Sequence, residues 1–275
     1  MTTTDTFDKE PFSIQATATT EGITTITINR PHRRNAIDGP TGRKLTTAFL
    51  NFENDPTQKV CVFYGAHGNF CAGSDLSEVA KLKETDTANN SGPRIGAIGP
   101  SRMQIRKPLI SAVCGYAVAG GTGLSLLGDI RVVEEDATFG IFSRRWGIPL
   151  MDSGTVRLQA MIGLGRALDM ILTGRAVGAQ EALAMGLANR VVPKGRAFEE
   201  ATNIARQLVA FPQGSLNADR ESCYYAVYGA KSFEDAMGFE YDNGMKVVYQ
   251  ESAKGVVRFG RGAGRHGKFD LSAKL

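Results

Sequence analysis

Short apolar runs rich in β-branched residues alternate with amphipathic segments along most of the chain. The runs predict strands at 12–18, 22–29, 60–64, 109–114, 130–133 and 191–192. Apolar residues at helical spacing predict helices at 41–54, 76–83, 124–127, 154–173 and 179–185, and then only helices, at 197–210, 215–228 and 232–252. This order predicts an α/β fold, with a core at 1–196 and a helical C-terminal region with a flexible tail at 197–275.

Composition and charge narrow the functional classes. The 275 residues carry 32 Lys and Arg against 28 Asp and Glu, and a net charge of +4 does not indicate nucleic-acid binding. No apolar stretch has the length of a membrane span, and the polar N-terminus lacks a signal-peptide core. The final tripeptide Ala273, Lys274 and Leu275 is a variant of the peroxisomal address, which predicts an import receptor as a partner and the peroxisome, otherwise the cytoplasm, as the location.

Metal, nucleotide and catalytic-triad motifs are weak in this sequence. The three histidines, His32, His67 and His266, are isolated and have no second ligand at metal-binding spacing, so no metal is expected. The glycine-rich segment 262–268 is followed by Phe269 instead of Ser or Thr, and it follows no predicted strand. No GxSxG elbow occurs. The segment 84–98 is rich in Thr, Asn, Ser and Gly and predicts a loop.

Two small-residue turns, NFCAGSD at 69–75 and VAGGTG at 118–123, each connect a predicted strand to a predicted helix. Glycine lets the backbone approach a ligand closely, and the first N–H groups of a helix have no partner within it. Two such turns side by side can direct two amides at one oxygen and form an oxyanion hole. The alternative is that both are ordinary tight turns between a strand and a helix.

Five blocks of sequence resemble the crotonase superfamily, which includes the enoyl-CoA hydratases and isomerases. The blocks are NRPHRRNAID at 29–38, GNFCAGSDL at 68–76, KPLISAVCGYAVAGGTGLSLLGDIRV at 107–132, ATFGIFSRRWGIPLMDSGTVRL at 137–158 and LTGRAVGAQEALAMGLANRVVP at 172–193. The resemblance implies a spiral of ββα repeats, with C-terminal helices that build a homotrimer or a hexamer. It also implies an acyl-CoA thioester as substrate, with coenzyme A as part of the substrate and no permanently bound cofactor.

The resemblance assigns roles to individual residues. Ser74 and Gly120 match the positions whose N–H groups hold the thioester oxygen as an enolate forms. A second set matches positions along the CoA groove: Arg30, Arg34, Ala36, Ala72, Gly73, Asp75 and Leu76. For Arg30, a contact to a CoA phosphate and a solvated position in the loop stay equally open. Asp75 can also cap the helix that begins at Leu76.

The sequence departs from the hydratase pattern at both acidic positions. The resemblance places the two hydratase glutamates at Gly123 and Ser143, and a serine hydroxyl without a partner is a poor base. Asp152 is a nearby acid, and some isomerases of the family have an acid at the matching place. It is either the proton carrier or the N-cap of the helix that starts near Ser153.

Two functional hypotheses follow from these residues. The first is an acyl-CoA enzyme that uses Ser74, Gly120 and Asp152 for hydration, isomerisation or C–C cleavage, with a non-standard acid or base. The second is a catalytically silent acyl-CoA-binding or assembly subunit, since both glutamate positions are substituted.

Overall fold

In the computed structural model, residues 10–79, 96 and 98–261 are described, and their nine strands form two sheets. The strands are β1 (Ile14–Ala18), β2 (Ile23–Ile28), β3 (Val60–Gly65), β4 (Leu109–Val113), β5 (Tyr116–Val118), β6 (Ile130–Glu134), β7 (Thr138–Gly140), β8 (Ala176–Gly178) and β9 (Arg190–Val192). The six predicted strands are confirmed, whereas β5, β7 and β8 were not predicted. Strands of three residues are too short to show a period in the sequence.

The larger sheet has the order β1-β2-β3-β4-β6-β9. β1 is antiparallel to β2 through a turn at Gly22, and the remaining pairs are parallel. β3 and β4 are almost entirely buried, as expected for central parallel strands covered on both faces. The smaller sheet has the order β5-β7-β8, and β5 directly follows β4. The chain therefore passes from one sheet to the other beside the turn at 118–123.

The helices are α1 (Gly39–Asn54), α2 (Leu76–Val79), α3 (Gly120–Ser125), α4 (Gly154–Ile162), α5 (Leu164–Thr173), α6 (Ala179–Ala184), α7 (Ala197–Ala210), α8 (Gln213–Tyr228), α9 (Phe233–Val247) and α10 (Ala253–Gly260). The single helix predicted at 154–173 is wrong, because Gly163 (φ 82°, ψ 154°) separates α4 from α5. The helix predicted from 232 continues beyond 252, since a π-helical turn at Val248–Ser252 leads into α10. None of the described helices is both long and apolar enough to span a membrane.

Packing on the larger sheet differs between its two faces. One face carries the main core, where the rings of Phe49, Phe63 and Phe70 meet edge to face at centroid distances of 5.2 and 5.1 Å. The other face is covered by α7, whose Ala201 and Ile204 are buried against the strands. α7 thus packs on the core sheet, although it lies in the predicted C-terminal region 197–275.

Helices α8 and α9 pack mainly against each other, and α8 is fixed to the core through Asp129. The Asp129 carboxylate accepts hydrogen bonds from Arg220 Nε (2.9 Å), Tyr224 Oη (2.8 Å) and the backbone N–H of Leu109 (2.8 Å). Several predictions fall outside the described residues: most of the loop at 84–98, the segment 262–268 and the C-terminal tripeptide.

Helix α3 lies so close to the turn at 69–75, called the first turn below, that position 121 requires glycine. A methyl group on Gly121 would lie 2.0 Å from the backbone oxygen of Cys71 and 2.7 Å from its carbonyl carbon. We expect Gly121→Ala to lower the free energy of unfolding by about 2 kcal/mol or more, because the clash is with backbone. Gly165→Ala, in α5 with open space around it, is the matched control and should cause no loss. Equal urea-unfolding midpoints for the two variants would contradict this packing.

Candidate active site

Three backbone segments run side by side at the carboxyl ends of β2, β3 and β4. Ala72 N–H donates to the Arg34 carbonyl (3.1 Å), and Cys71 N–H donates to the Tyr116 carbonyl (2.9 Å). Val118 N–H donates back to the Cys71 carbonyl (3.0 Å). The turn at 69–75 therefore lies between the segment after β2 and strand β5.

The Ser74 amide faces away from the segment after β2. The Gly73 carbonyl accepts from Ile37 N–H and the Asp75 N–H donates to the Ile37 carbonyl, each at 2.8 Å. Since successive N–H groups of an extended chain alternate in direction, the Ser74 N–H faces the opposite side, toward the second turn. Among the described residues it has no hydrogen-bond acceptor.

The Gly120 amide is the first N–H group of α3, so it has no acceptor within the helix. Ala119, just before it, has φ 53° and ψ −124°, a conformation that L-residues rarely adopt and that carries strain. Its own N–H donates to the Gly140 carbonyl at 2.7 Å, which holds this backbone in place.

The two turns are in direct contact. A methyl group on Gly73 would lie 3.0 Å from the Gly120 nitrogen, and one on Gly120 would lie 3.8 Å from the Ser74 nitrogen. The structure thus brings together two amides that the sequence places 46 residues apart. Both lack an acceptor in the described part of the chain, which is the arrangement that an oxyanion hole requires.

Asp152 is buried, with 6% of its surface exposed, and it does not cap α4. The N-cap position of α4 is Ser153, which makes no side-chain capping bond, so the capping alternative is wrong. Instead, Asp152 Oδ1 accepts a hydrogen bond from Ser101 Oγ at 2.8 Å. Within the described residues the carboxylate forms no ion pair, unlike the buried carboxylate of Asp75.

Asp152 lies beside Gly123, the first substituted glutamate position. A methyl group on Gly123 would lie 3.2 Å from the Asp152 backbone oxygen and 3.8 Å from the Gly154 Cα. Ser143, the second substituted position, is 9% exposed, and its hydroxyl has no hydrogen-bond partner among the described residues.

Arg30 is a buried structural cation and is not open to a CoA phosphate. Only 3% of its side chain is exposed, and its guanidinium pairs with Glu10, with Asp38 (2.9 Å) and with Asp75 (3.3 Å). It also donates to the Ala36 carbonyl. The sequence left open a CoA contact and a solvated loop arginine, and the burial of Arg30 among three carboxylates agrees with neither.

The other residues matched to the CoA groove surround the first turn. Arg34 is exposed, has φ 49°, and places its guanidinium 5.8 Å from the centre of the Tyr116 ring. Leu76 is 51% exposed, at the start of α2. Asp75 Oδ1 accepts from Ser77 N–H (3.1 Å), which confirms the predicted cap.

The cysteine thiol within the first turn is not a nucleophile. Burial raises the pKa of Cys71 to about 12, so the thiol stays protonated at neutral pH.

Two residues near the site were not predicted. The Ile98 side chain packs over Gly120, where a methyl group on Gly120 would lie 2.8 Å from Ile98 Cδ1. Ser101 is fully buried and bonds to Asp152. Neither belongs to a quoted block or a periodic segment, and their contacts are set by tertiary packing.

Replacing Arg30 with methionine should destabilise the fold, because three carboxylates lose their shared cation. We expect Arg30→Met to lower the free energy of unfolding by about 3 kcal/mol or more, and Arg34→Met, on an exposed residue, by about 0.5 kcal/mol at most. Chemical denaturation of both variants measures the difference, and equal losses would contradict the assignment.

The loss of stability in Arg30→Met should depend on pH, and the sign of this dependence follows from the pKa shifts of two carboxylates. The Arg30 hydrogen bond lowers the pKa of Glu10 against the effect of burial. Burial acts to raise the pKa of Asp75, but Ser77 and Arg30 lower it. A lowered pKa in the folded state gives stability that is present above the ordinary value and lost as the pH falls through the folded value. Arg30→Met should therefore lose stability less steeply in acid than the native chain.

Comparisons with known proteins agree with this geometry. The sequence profile described as enoyl-CoA hydratase/isomerase matches residues 18–259. The enoyl-CoA hydratase EchA19 of Mycobacterium tuberculosis is 35% identical over 238 residues, covering 83% of this chain and 86% of that protein. The carnitinyl-CoA dehydratase of Escherichia coli is 36% identical over 189 residues, covering 68% and 71%.

Solved structures show the same fold. A Mycobacterium tuberculosis enoyl-CoA hydratase superposes with a TM-score of 0.82 at 29% identity, covering 90% of this chain and 96% of that one. A Bacillus anthracis enoyl-CoA hydratase superposes with a TM-score of 0.83 at 28% identity, and the coverage of the two chains is the same. These relatives are bacterial, and bacteria have no peroxisomes, so the comparisons give the peroxisomal prediction no support. The predicted crotonase-like α/β fold is confirmed, and the chain belongs to the enoyl-CoA hydratase/isomerase family.

Proposed function

We propose that the chain is an acyl-CoA enzyme in which the Ser74 and Gly120 amides hold a thioester enolate and Asp152 moves the proton. The observation that carries the proposal is the buried Asp152 carboxylate, which has no ion pair among the described residues and belongs to a residue whose backbone oxygen adjoins position 123, the first hydratase-glutamate position. The reaction that one such carboxylate serves best is migration of a double bond between the 3-enoyl and 2-enoyl thioesters.

The two backbone amides supply the electrostatic part of the mechanism. As a proton leaves the α-carbon, its electron pair moves toward the thioester oxygen and creates negative charge there. Two fixed N–H donors stabilise that charge without reorganisation, and one donor of this kind contributes about 10²–10³ to a rate. The strained Ala119 and the Gly73–Gly120 contact support this function, because they fix the donors before substrate binds.

Asp152 supplies the proton transfer. The ionised carboxylate removes the α-proton of a 3-enoyl thioester, which gives a dienolate and a carboxylic acid. The acid then returns the proton to the γ-carbon, and the 2-enoyl thioester forms with the carboxylate restored. This cycle needs no activated water, whereas the family's hydration chemistry uses two acids that the resemblance places at Gly123 and Ser143.

Hydration or dehydration is the second candidate reaction. It is favoured by the names of the relatives, an enoyl-CoA hydratase and a carnitinyl-CoA dehydratase. In that case Asp152 activates or releases water alone. C–C cleavage would show as a shortened acyl product. A silent acyl-CoA-binding subunit is the remaining alternative, and it predicts binding without proton exchange.

Binding of CoA is proposed along the turn at 69–75 and the segment hydrogen-bonded to it, where Arg34 and Leu76 are exposed. The other residues of the proposed groove are Ala36, Ala72, Gly73 and Asp75. Association of subunits through the C-terminal helices is part of the same proposal. Those helices expose many large apolar side chains: Val227, Phe233, Met237, Tyr241, Val248, Tyr249, Val256, Val257 and Phe259. Such a surface fits a homotrimer or a pair of trimers.

Replacing Asp152 with asparagine tests the proton carrier. We expect Asp152→Asn to lower kcat for 3-enoyl-CoA by about 10²-fold or more, because the amide cannot take up the proton. Asp169→Asn, on an exposed carboxylate of α5, is the matched control and should retain activity. Nuclear magnetic resonance of the products separates isomerisation from hydration and cleavage, and unchanged turnover would remove Asp152 from the mechanism.

Replacing Gly73 with alanine tests the oxyanion hole. The new methyl group would lie 3.0 Å from the Gly120 nitrogen, so it should obstruct the amide and lower kcat by about 10²-fold or more. Gly68→Ala is a matched control, since Gly68 has a similar φ (80° against 93°) and nothing within 4 Å of its missing Cβ. Similar kcat values for the two variants would contradict the assignment of the Gly120 amide.

A further inference from the structure

Ser101 is the described side chain that holds the Asp152 carboxylate. Its hydroxyl donates to Asp152 Oδ1 at 2.8 Å, and no other hydrogen bond to that carboxylate is found among the described residues. The two residues are 51 positions apart, and Ser101 is fully buried. A carboxylate with a single donor takes its orientation from that donor.

The backbone of Ser101 is fixed as firmly as its side chain. The Ser101 carbonyl accepts from Ser153 Oγ, so residues 101 and 153 are joined next to the bond between 101 and 152. Arg157 donates to Ser153 Oγ (3.2 Å) and to the Met103 carbonyl (2.7 Å). Hydrogen bonds therefore join the segment 101–103 to residues 152, 153 and 157 at the start of α4.

Gly96 lies next to the hydrogen bond between Ser101 and Asp152. A methyl group on Gly96 would lie 2.0 Å from Ser101 Oγ and 2.3 Å from Asp152 Oδ1. Position 96 therefore has no room for a side chain, and with Ser101 fully buried and Asp152 6% exposed this hydrogen bond is shielded from water. A hydrogen bond shielded from water is stronger and better defined in direction than an exposed one.

A hydroxyl is suited to a carboxylate that changes protonation state. A serine hydroxyl donates to Oδ1 of the ionised carboxylate, and it can continue to donate to the same oxygen when the proton is held on Oδ2. An arginine or lysine in the same place would favour the charged form only. The chemistry of the partner therefore fits a group that gains and loses a proton in each cycle.

We infer that Ser101 is a positioning residue that orients the Asp152 carboxylate for proton transfer. The inference rests on the proposed function, because it assigns Ser101 a role through Asp152 and gives it no contact with substrate. It leaves Asp152 Oδ2 as the oxygen that exchanges the proton, since Oδ1 is bonded to Ser101.

The test is a double-mutant cycle of Ser101→Ala and Asp152→Asn. The readouts are kcat and KM for 3-enoyl-CoA and deuterium uptake at the α-carbon of butyryl-CoA in heavy water. We expect Ser101→Ala to lower kcat and the exchange rate by about tenfold with KM nearly unchanged, and the double variant to be no slower than Asp152→Asn. Ser101→Thr, which keeps the hydroxyl, should recover most of the rate.

Ser222→Ala is the matched control, because it also removes a buried hydroxyl, one that bonds to the Ala218 carbonyl within α8. This variant should leave kcat unchanged. Thermal unfolding of every variant is measured to check that each one is folded. Additive losses in the double variant, or a rise in KM without loss of kcat, would overturn the role of Ser101 while leaving that of Asp152 intact. Normal exchange in Asp152→Asn would overturn both.

Discussion

The close contact of the Cys71 carbonyl with Gly121 is the constraint on which the site depends. Val118 N–H is bonded to that carbonyl, and a side chain at position 121 would overlap it. The contact sets the distance between the two turns, and it places Gly73 against Gly120. Because the donors of the proposed oxyanion hole are backbone amides, their relative position is decided by main-chain packing.

The charge cluster around Arg30 stabilises the other side of the first turn. Arg30 bonds to the Ala36 carbonyl and to Asp75, and Ile37 between them fixes the direction of the Ser74 amide. Removing a buried cation from among three carboxylates is costly, since each carboxylate would lose its ion pair with the guanidinium. Arg30 thus acts on the geometry of the turn at 69–75, whereas Arg34 is exposed.

The sequence predicted the parts of the site that depend on local chemistry. Small residues after apolar runs indicated both turns, and the structure confirms that Ser74 and Gly120 come together. The contact between Ser101 and Asp152 could not be predicted, because it joins residues 51 positions apart and leaves no periodic signal. The break at Gly163 was missed because a single glycine interrupts an otherwise continuous helical pattern, and its effect depends on the φ that packing imposes.

The acid that we propose for this site depends on several positions and not one. Asp152 can lie where it does because position 123 has no side chain to press on its backbone, and because position 96 has none to displace Ser101. A side chain at position 123 would begin 3.2 Å from the Asp152 carbonyl oxygen, so that oxygen would have to move by a few tenths of an ångström. The two glycines, the Ser101 hydroxyl and the Asp152 carboxylate thus adjoin one another, and the proton transfer that we propose would depend on all four.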